Sequence, residues 1–183
     1  KTRDYFIALI QLCADVGGKV MVIGSPKQRN VMEPLTYNQA WEYARETFAE
    51  CADFAQEKQV FLCMEPLSSQ QTNFINTPAE AVRMVKAVNN PNFQIILDVT
   101  STSAEKLDMP TQIREFAQYV AHFHSNDDNG YLPGSWNVDY PPIIKALKGI
   151  HYTGFLSTEV FNFEPDAETI ARRSIEFLKP LVG

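Results

Sequence analysis

Five short apolar runs, each followed by a helix-length amphipathic stretch, constrain this chain more than any other feature. The runs are Lys19–Ile23, Val60–Met64, Phe93–Leu97, Ala121–Ser125 and Gly154–Thr158. Each is short, and the first three are nearly all apolar, as strands buried on both faces are. Helical spacing of apolar residues precedes the first run between Asp4 and Asp15, where Tyr5, Phe6, Leu9, Ile10, Leu12 and Cys13 recur. Further helices are predicted from Thr36 to about Lys58, Thr77 to about Val88, Pro110 to Tyr119, Asp139 to Lys148 and Asp166 to Leu178. Two of them open on a capping box, Thr36-x-x-Gln39 and Thr77-x-x-Glu80. Asp108 is placed to cap a third. The order is helix, then strand–helix five times, which predicts a parallel sheet with helices outside it.

Several classes are disfavoured early. No apolar run approaches the ~20 residues of a membrane span, and no signal-peptide pattern opens the chain. A formal charge of −6 argues against a phosphate-backbone binder. Cys13, Cys51 and Cys63 are an odd set without a Cys-x-x-Cys pair, so they read as buried thiols in a reducing, cytoplasmic compartment. The 183 residues suit one domain, 1–183, without linker, repeat or low-complexity tract.

The chemistry gathers at the strand ends. In parallel α/β folds ligands bind at the carboxyl ends of the strands. Four successive strands end in a metal-ligand type: Glu65, Asp98, His124 and Glu159, each about one β/α unit after the last. Singly, each has an ordinary explanation as a solvated strand end, a turn cap, a core histidine or a surface ion-pair partner. Four in succession make that joint explanation much weaker. Three carboxylates and one imidazole suit a hard or borderline divalent ion, Mn2+ first, with Mg2+, Co2+ or Zn2+ as alternatives. The loop from Asn126 to Val138 is long for a compact α/β unit and is expected to serve function. His122 shares a strand face with His124 and is expected to support it; His151 is expected on the opposite rim.

The motifs carry a resemblance. Gly-Ser-Pro-Lys-Gln-Arg after the first strand, Met-Glu-Pro, Asn-Thr-Pro-Ala-Glu-Ala, Leu-Asp-Val, His-Phe-His-Ser-Asn-Asp and Ser-Thr-Glu-Val-Phe span essentially the whole chain. Together they resemble the sugar phosphate isomerase/epimerase group of the xylose isomerase-like TIM-barrel superfamily, with ligand intervals similar to those of ketose 3-epimerases. The resemblance implies a (β/α)8 barrel fold of which the first three β/α units are missing from this chain. It implies one divalent ion held by Glu65, Asp98, His124 and Glu159. It implies that Glu65 and Glu159 are also the acid/base pair of a sugar or sugar phosphate isomerase/epimerase, moving a proton at a carbon beside a chelated carbonyl. Lys27, Arg29, Asn126, Asn129 and Trp136 are expected to supply substrate contacts. Nucleic acid and membrane are not expected as partners; a homo-oligomer is an option. Two positions depart from the family pattern: Ser101 stands where a substrate-binding histidine is usual, and Gly130 where an arginine is usual. Two alternatives follow. One is an endonuclease IV-type DNA-repair nuclease, disfavoured by Ser101, by Pro141 and by the acidic charge. The other is a barrel module that binds a sugar or partner without turnover.

Overall fold

The computed structural model describes residues 1–183. Its elements are α1 (Thr2–Asp15), β1 (Val20–Ile23), α2 (Tyr37–Glu57), β2 (Phe61–Met64), α3 (Pro78–Val88), β3 (Phe93–Asp98), α4 (Val99–Ala104), α5 (Met109–Glu115), β4 (Val120–Ser125), α6 (Tyr140–Gly149), β5 (Leu156–Thr158) and α7 (Ala167–Val182). A 3-10 turn, Ala117–Tyr119, joins α5 to β4. The strands form one sheet in the order β1-β2-β3-β4-β5, and β1–β2, β2–β3 and β4–β5 pair in parallel. Every predicted strand and helix is present. The chain forms two compact units, residues 1–96 and 97–183, and the boundary between them falls inside β3.

In the first unit the core lies between the sheet and its covering helices. Phe48 of α2 stacks on Phe93 of β3, with ring centroids 5.2 Å apart. Cys51, Ala52 and Ala55 continue that face with no exposed surface, on the side of the sheet that carries fully buried Leu62 and Phe93. The inner face of α2 is thus Phe48–Cys51–Ala52–Ala55, while Tyr43 of the same helix points to solvent. Tyr5 and Leu12, which recur in the apolar spacing of α1, and Ile175 of α7 are exposed as well. A stripe of apolar residues fixes a helix's buried side, but not how wide that side is. Burial pushes the Cys51 thiol up to about 11 and the Cys63 thiol up to about 12, so both are inert at neutral pH. Cys13 is only half-buried.

In the second unit, α6 buries Tyr140, Ile143, Ile144 and Leu147, and α7 buries Ile170, Ser174 and Leu178. Ser174 can sit inside because its hydroxyl donates to the Ile170 carbonyl at 2.7 Å. Several features differ from expectation. The α5 helix ends at Glu115, with the 3-10 turn completing the stretch to Tyr119; β5 begins at Leu156 and not at Gly154; the α7 helix continues through Pro180 to Val182; and α4 is a helix where none is predicted. Its Val-Thr-Ser-Thr-Ser sequence is a poor helix former; tertiary bonds at its start hold it.

Local signals behave as the sequence predicts. Thr77 Oγ1 accepts from the Glu80 amide at 3.2 Å, and the Glu80 carboxylate accepts from the Asn76 and Thr77 amides. Asp108 caps α5 through the Thr111 amide. Asp139 precedes α6 but makes no side-chain cap bond. Replacing Thr77 leaves a helix-start amide without its acceptor. Thr77→Ala is expected to cost about 1 kcal/mol, read as a lower urea midpoint at unchanged denaturant slope.

Candidate metal centre

Glu65 lies one residue beyond β2 and is buried. Its amide donates to the Ile23 carbonyl, extending the β1–β2 ladder past the last paired residues. The carboxylate is packed over Gly24: a Cβ on that glycine would stand 2.0 Å from Glu65 Oε2. Any side chain at position 24 would have to push this carboxylate aside.

Asp98 closes β3 and has no exposed surface. One oxygen accepts from the Ser101 amide at 2.7 Å, which starts α4, and the other accepts from Asn126 Nδ2 at 2.7 Å. Asn126 is fixed in turn, its Oδ1 accepting from the Thr100 amide. Burial holds the Asp98 carboxyl above the ordinary carboxylate range, against the pull of those two donors and of His124.

His124, on β4, directs Nδ1 at two carboxylates, 3.1 Å from Glu159 Oε2 and 3.8 Å from Asp98 Oδ2. Glu159, just past β5, remains partly exposed, and its hydrogen bond with His124 holds it below the usual glutamate range. His122 meets the His124 ring edge-to-face at 5.2 Å. Burial, then His124, pushes His122 down to about 4, so it is neutral at physiological pH.

One ligand atom from each of Glu65, Asp98, His124 and Glu159 lies within 4.8 Å of the other three. The four residues singled out at successive strand ends are thus the ones brought together. The donor set fits a divalent cation. A carboxylate buried as fully as Asp98 needs positive charge nearby, and the imidazole offers a nitrogen to the same point.

The other expected site residues are distributed less uniformly. Lys27 is exposed on the loop after β1. Arg29 is not spread into solvent: its two terminal nitrogens donate to the carbonyls of Glu65 and Ile23. Asn126 is buried and holds Asp98. Asn129 is exposed and accepts from the Tyr131 amide. Trp136 is 66% exposed. Ser101 is buried in α4 with its amide on Asp98. Gly130 has φ +72, a left-handed backbone that an arginine would occupy only with strain.

Sequence reasoning missed Asp127. This buried carboxylate accepts from the amides of Asp128, Trp136, Asn137 and Val138, at 2.9 to 3.1 Å. Its own carbonyl accepts from Thr100 Oγ1 and the Gly130 amide. Asp127 is therefore the post around which the long loop is wound. The available signal was a carboxylate directly before a Gly- and Pro-containing loop, which suits capping of free amides.

The architecture and donor set define a class: a parallel β/α protein with a carboxylate–histidine cluster at its strand ends that could hold a cation. The match with the family described as xylose isomerase-like TIM barrel extends over residues 1–181, and the chain belongs to that family. D-psicose 3-epimerase of Agrobacterium fabrum is 34% identical over 134 residues, covering 70% of this chain and 46% of that protein. L-ribulose 3-epimerase of Mesorhizobium japonicum is 26% identical over 166 residues, covering 90% of this chain and 56% of that one. The chain thus spans about half the length of these two relatives. A crystal structure of D-psicose 3-epimerase in the presence of D-fructose superposes with a TM-score of 0.88 at 22% identity, covering 100% of this chain and 71% of the other. No helix is long and apolar enough to cross a membrane.

Two measurements check this description. An ionised Asp98 costs the folded state stability, because folding raises its pKa; a bound cation offsets that cost by competing with the proton. At 100 times its Kd, Mn2+ is expected to add about 2.7 kcal/mol, seen as a higher Tm than in EDTA. The gain should shrink as pH falls through the Asp98 range, where the proton wins, and Asp98→Asn should abolish it. Asp127→Asn turns an amide donor toward backbone amides and is expected to cost about 2–3 kcal/mol, measured by urea unfolding.

Proposed function

We propose that the chain carries the metal-binding, proton-transferring part of a sugar epimerase acting on ketoses, free or phosphorylated. The observation that supports this best is the convergence of Glu65, Asp98, His124 and Glu159. The named activities of the relatives, D-psicose 3-epimerase and L-ribulose 3-epimerase, point to the same chemistry.

In this reading all four residues hold one divalent ion, Mn2+ first, and a cation bound there would supply Lewis-acid polarisation of a substrate carbonyl. Glu65 and Glu159 are the acid/base pair. Inverting one carbon requires removing its proton on one face and returning a proton on the other, which two carboxylates on opposite sides can do. Glu159 suits the role of base, since His124 keeps it ionised at neutral pH. Glu65 suits a fixed partner, since Gly24 leaves its carboxylate a defined place. Asp98 and His124 hold the ion without moving protons, and Asn126 keeps Asp98 aimed. Lys27, Asn129 and Trp136 are substrate contacts in this proposal, from the loops after β1 and β4. Asn126 and Arg29 serve it through the bonds they already make.

The experiment is exchange of a carbon-bound ketose proton with solvent deuterium, followed by NMR, at saturating Mn2+ on D-psicose, D-fructose and ribulose. Exchange with at least one ketose is expected. Glu65→Gln and Glu159→Gln should each lower kcat about 100-fold or more while the chain still folds. No exchange with any ketose at full metal occupancy overturns the proposal.

A further inference from the structure

Arg29 stands on the loop after β1, and nothing about its position in sequence distinguishes it from a solvated loop cation. Its surroundings do. The planar guanidinium donates from one nitrogen to the Glu65 carbonyl at 2.6 Å and from the other to the Ile23 carbonyl at 2.5 Å. Ile23 is the last residue of β1, and its carbonyl also accepts the Glu65 amide at 3.2 Å. One fork therefore grips the ends of two neighbouring strands beyond the point where their ladder stops. A rigid planar group with paired donors is pre-organised for such a grip.

The loop that presents Arg29 is itself fixed. Asn30 Oδ1 accepts from Thr72 Oγ1 at 2.8 Å and from the Asn73 amide. Asn73 returns two bonds to Val31, accepting from its amide at 2.8 Å and donating to its carbonyl at 3.0 Å. The loop after β1 is thus latched to the loop after β2, with Arg29 inside the latch. Burial pulls the guanidinium down to about 10, against the attraction of Glu65, so placing a cation here is costly. A surface lysine would have served solubility without that cost.

We infer that Arg29 is a positioning residue for the cation centre: by clamping the ends of β1 and β2 it fixes the backbone from which the Glu65 carboxylate projects over Gly24. This rests on the reading of Glu65 as a metal ligand. The clamp holds the carbonyl of the ligand residue itself, so its loss lets Glu65 rotate away from its partners. Partners of this kind typically govern metal affinity by about 10–100-fold.

The test compares the parent protein with Arg29→Met, Arg29→Lys and Asn73→Ala, each checked for folding by circular dichroism and Tm. Mn2+ affinity of the metal-free protein is measured by calorimetry, independently of turnover. Arg29→Met is expected to weaken Mn2+ binding about 10–100-fold. Arg29→Lys keeps the charge but lacks the fork, and should recover less than half of that loss on a logarithmic scale. Asn73→Ala opens the latch and should weaken Mn2+ in the same direction by a smaller factor. With a ketose that exchanges, kcat should fall in Arg29→Met and KM change less than about threefold. Folded variants that bind Mn2+ within twofold of the parent overturn the inference, as does a rise in KM at unchanged Mn2+ affinity and kcat, which would make Arg29 a substrate contact. If Arg29→Met does not fold, the Mn2+ affinities of Arg29→Lys and Asn73→Ala decide by the same criteria. A parent that binds Mn2+ but exchanges no ketose proton defeats the functional proposal and leaves this one decided by affinity alone.

Discussion

Taking the Asp98 carboxylate out of water imposes the strictest condition on this structure. A fully buried carboxylate is tolerated only where donors or positive charge meet it. Asp98 has the Ser101 amide on one oxygen and Asn126 on the other, with His124 close by. Each of those bonds has a structural consequence. The Ser101 bond starts α4, a helix whose own sequence disfavours it. The Asn126 bond fixes the first residue after β4, from which the long loop departs. Burial nevertheless keeps Asp98 above the usual carboxylate range. Keeping Asp98 ionised in that place calls for positive charge beside it.

The loops around the site follow a common pattern. Two of them are held by a charged side chain, buried in one case and half-buried in the other, that bonds backbone atoms. Asp127 gathers four amides of the loop after β4, and Arg29 grips two carbonyls at the ends of β1 and β2. Charged groups at these positions make stronger bonds than neutral ones would. They also explain how loops rich in glycine, proline and asparagine keep one shape. Glu65 and Asp98 are thereby held by loop residues, Arg29 and Asn126, as well as by their own strands.

The departures from the family pattern have physical context. Gly130 occupies a left-handed backbone position, and its amide donates to the Asp127 carbonyl. Its freedom is what lets the loop turn back on Asp127, and an arginine there would strain that turn. Ser101 uses its amide, not its side chain, to serve Asp98. Both positions are thus spent on building the loops, and the substrate contacts proposed for the chain lie instead on Lys27, Asn129 and Trp136.

The sequence by itself determined the element order, the parallel sheet and the four residues at its strand ends. Apolar periodicity and capping boxes are local signals, and ligands at strand termini sit at fixed offsets from them. Glu65, Asp98 and Glu159 could be named because each follows directly on one of the five runs, and His124 because it stands next to the end of another. Tertiary structure alone decided which apolar residues were inside, leaving Tyr43 and Ile175 in solvent. It alone made a helix of Val99–Ala104 and turned Asp127 and Arg29 into organisers of backbone. Burial and hydrogen-bond partners of a loop residue depend on chain segments far away in sequence. No local pattern encodes them, so a half-buried, backbone-bound arginine and a solvated one read the same until the chain is folded.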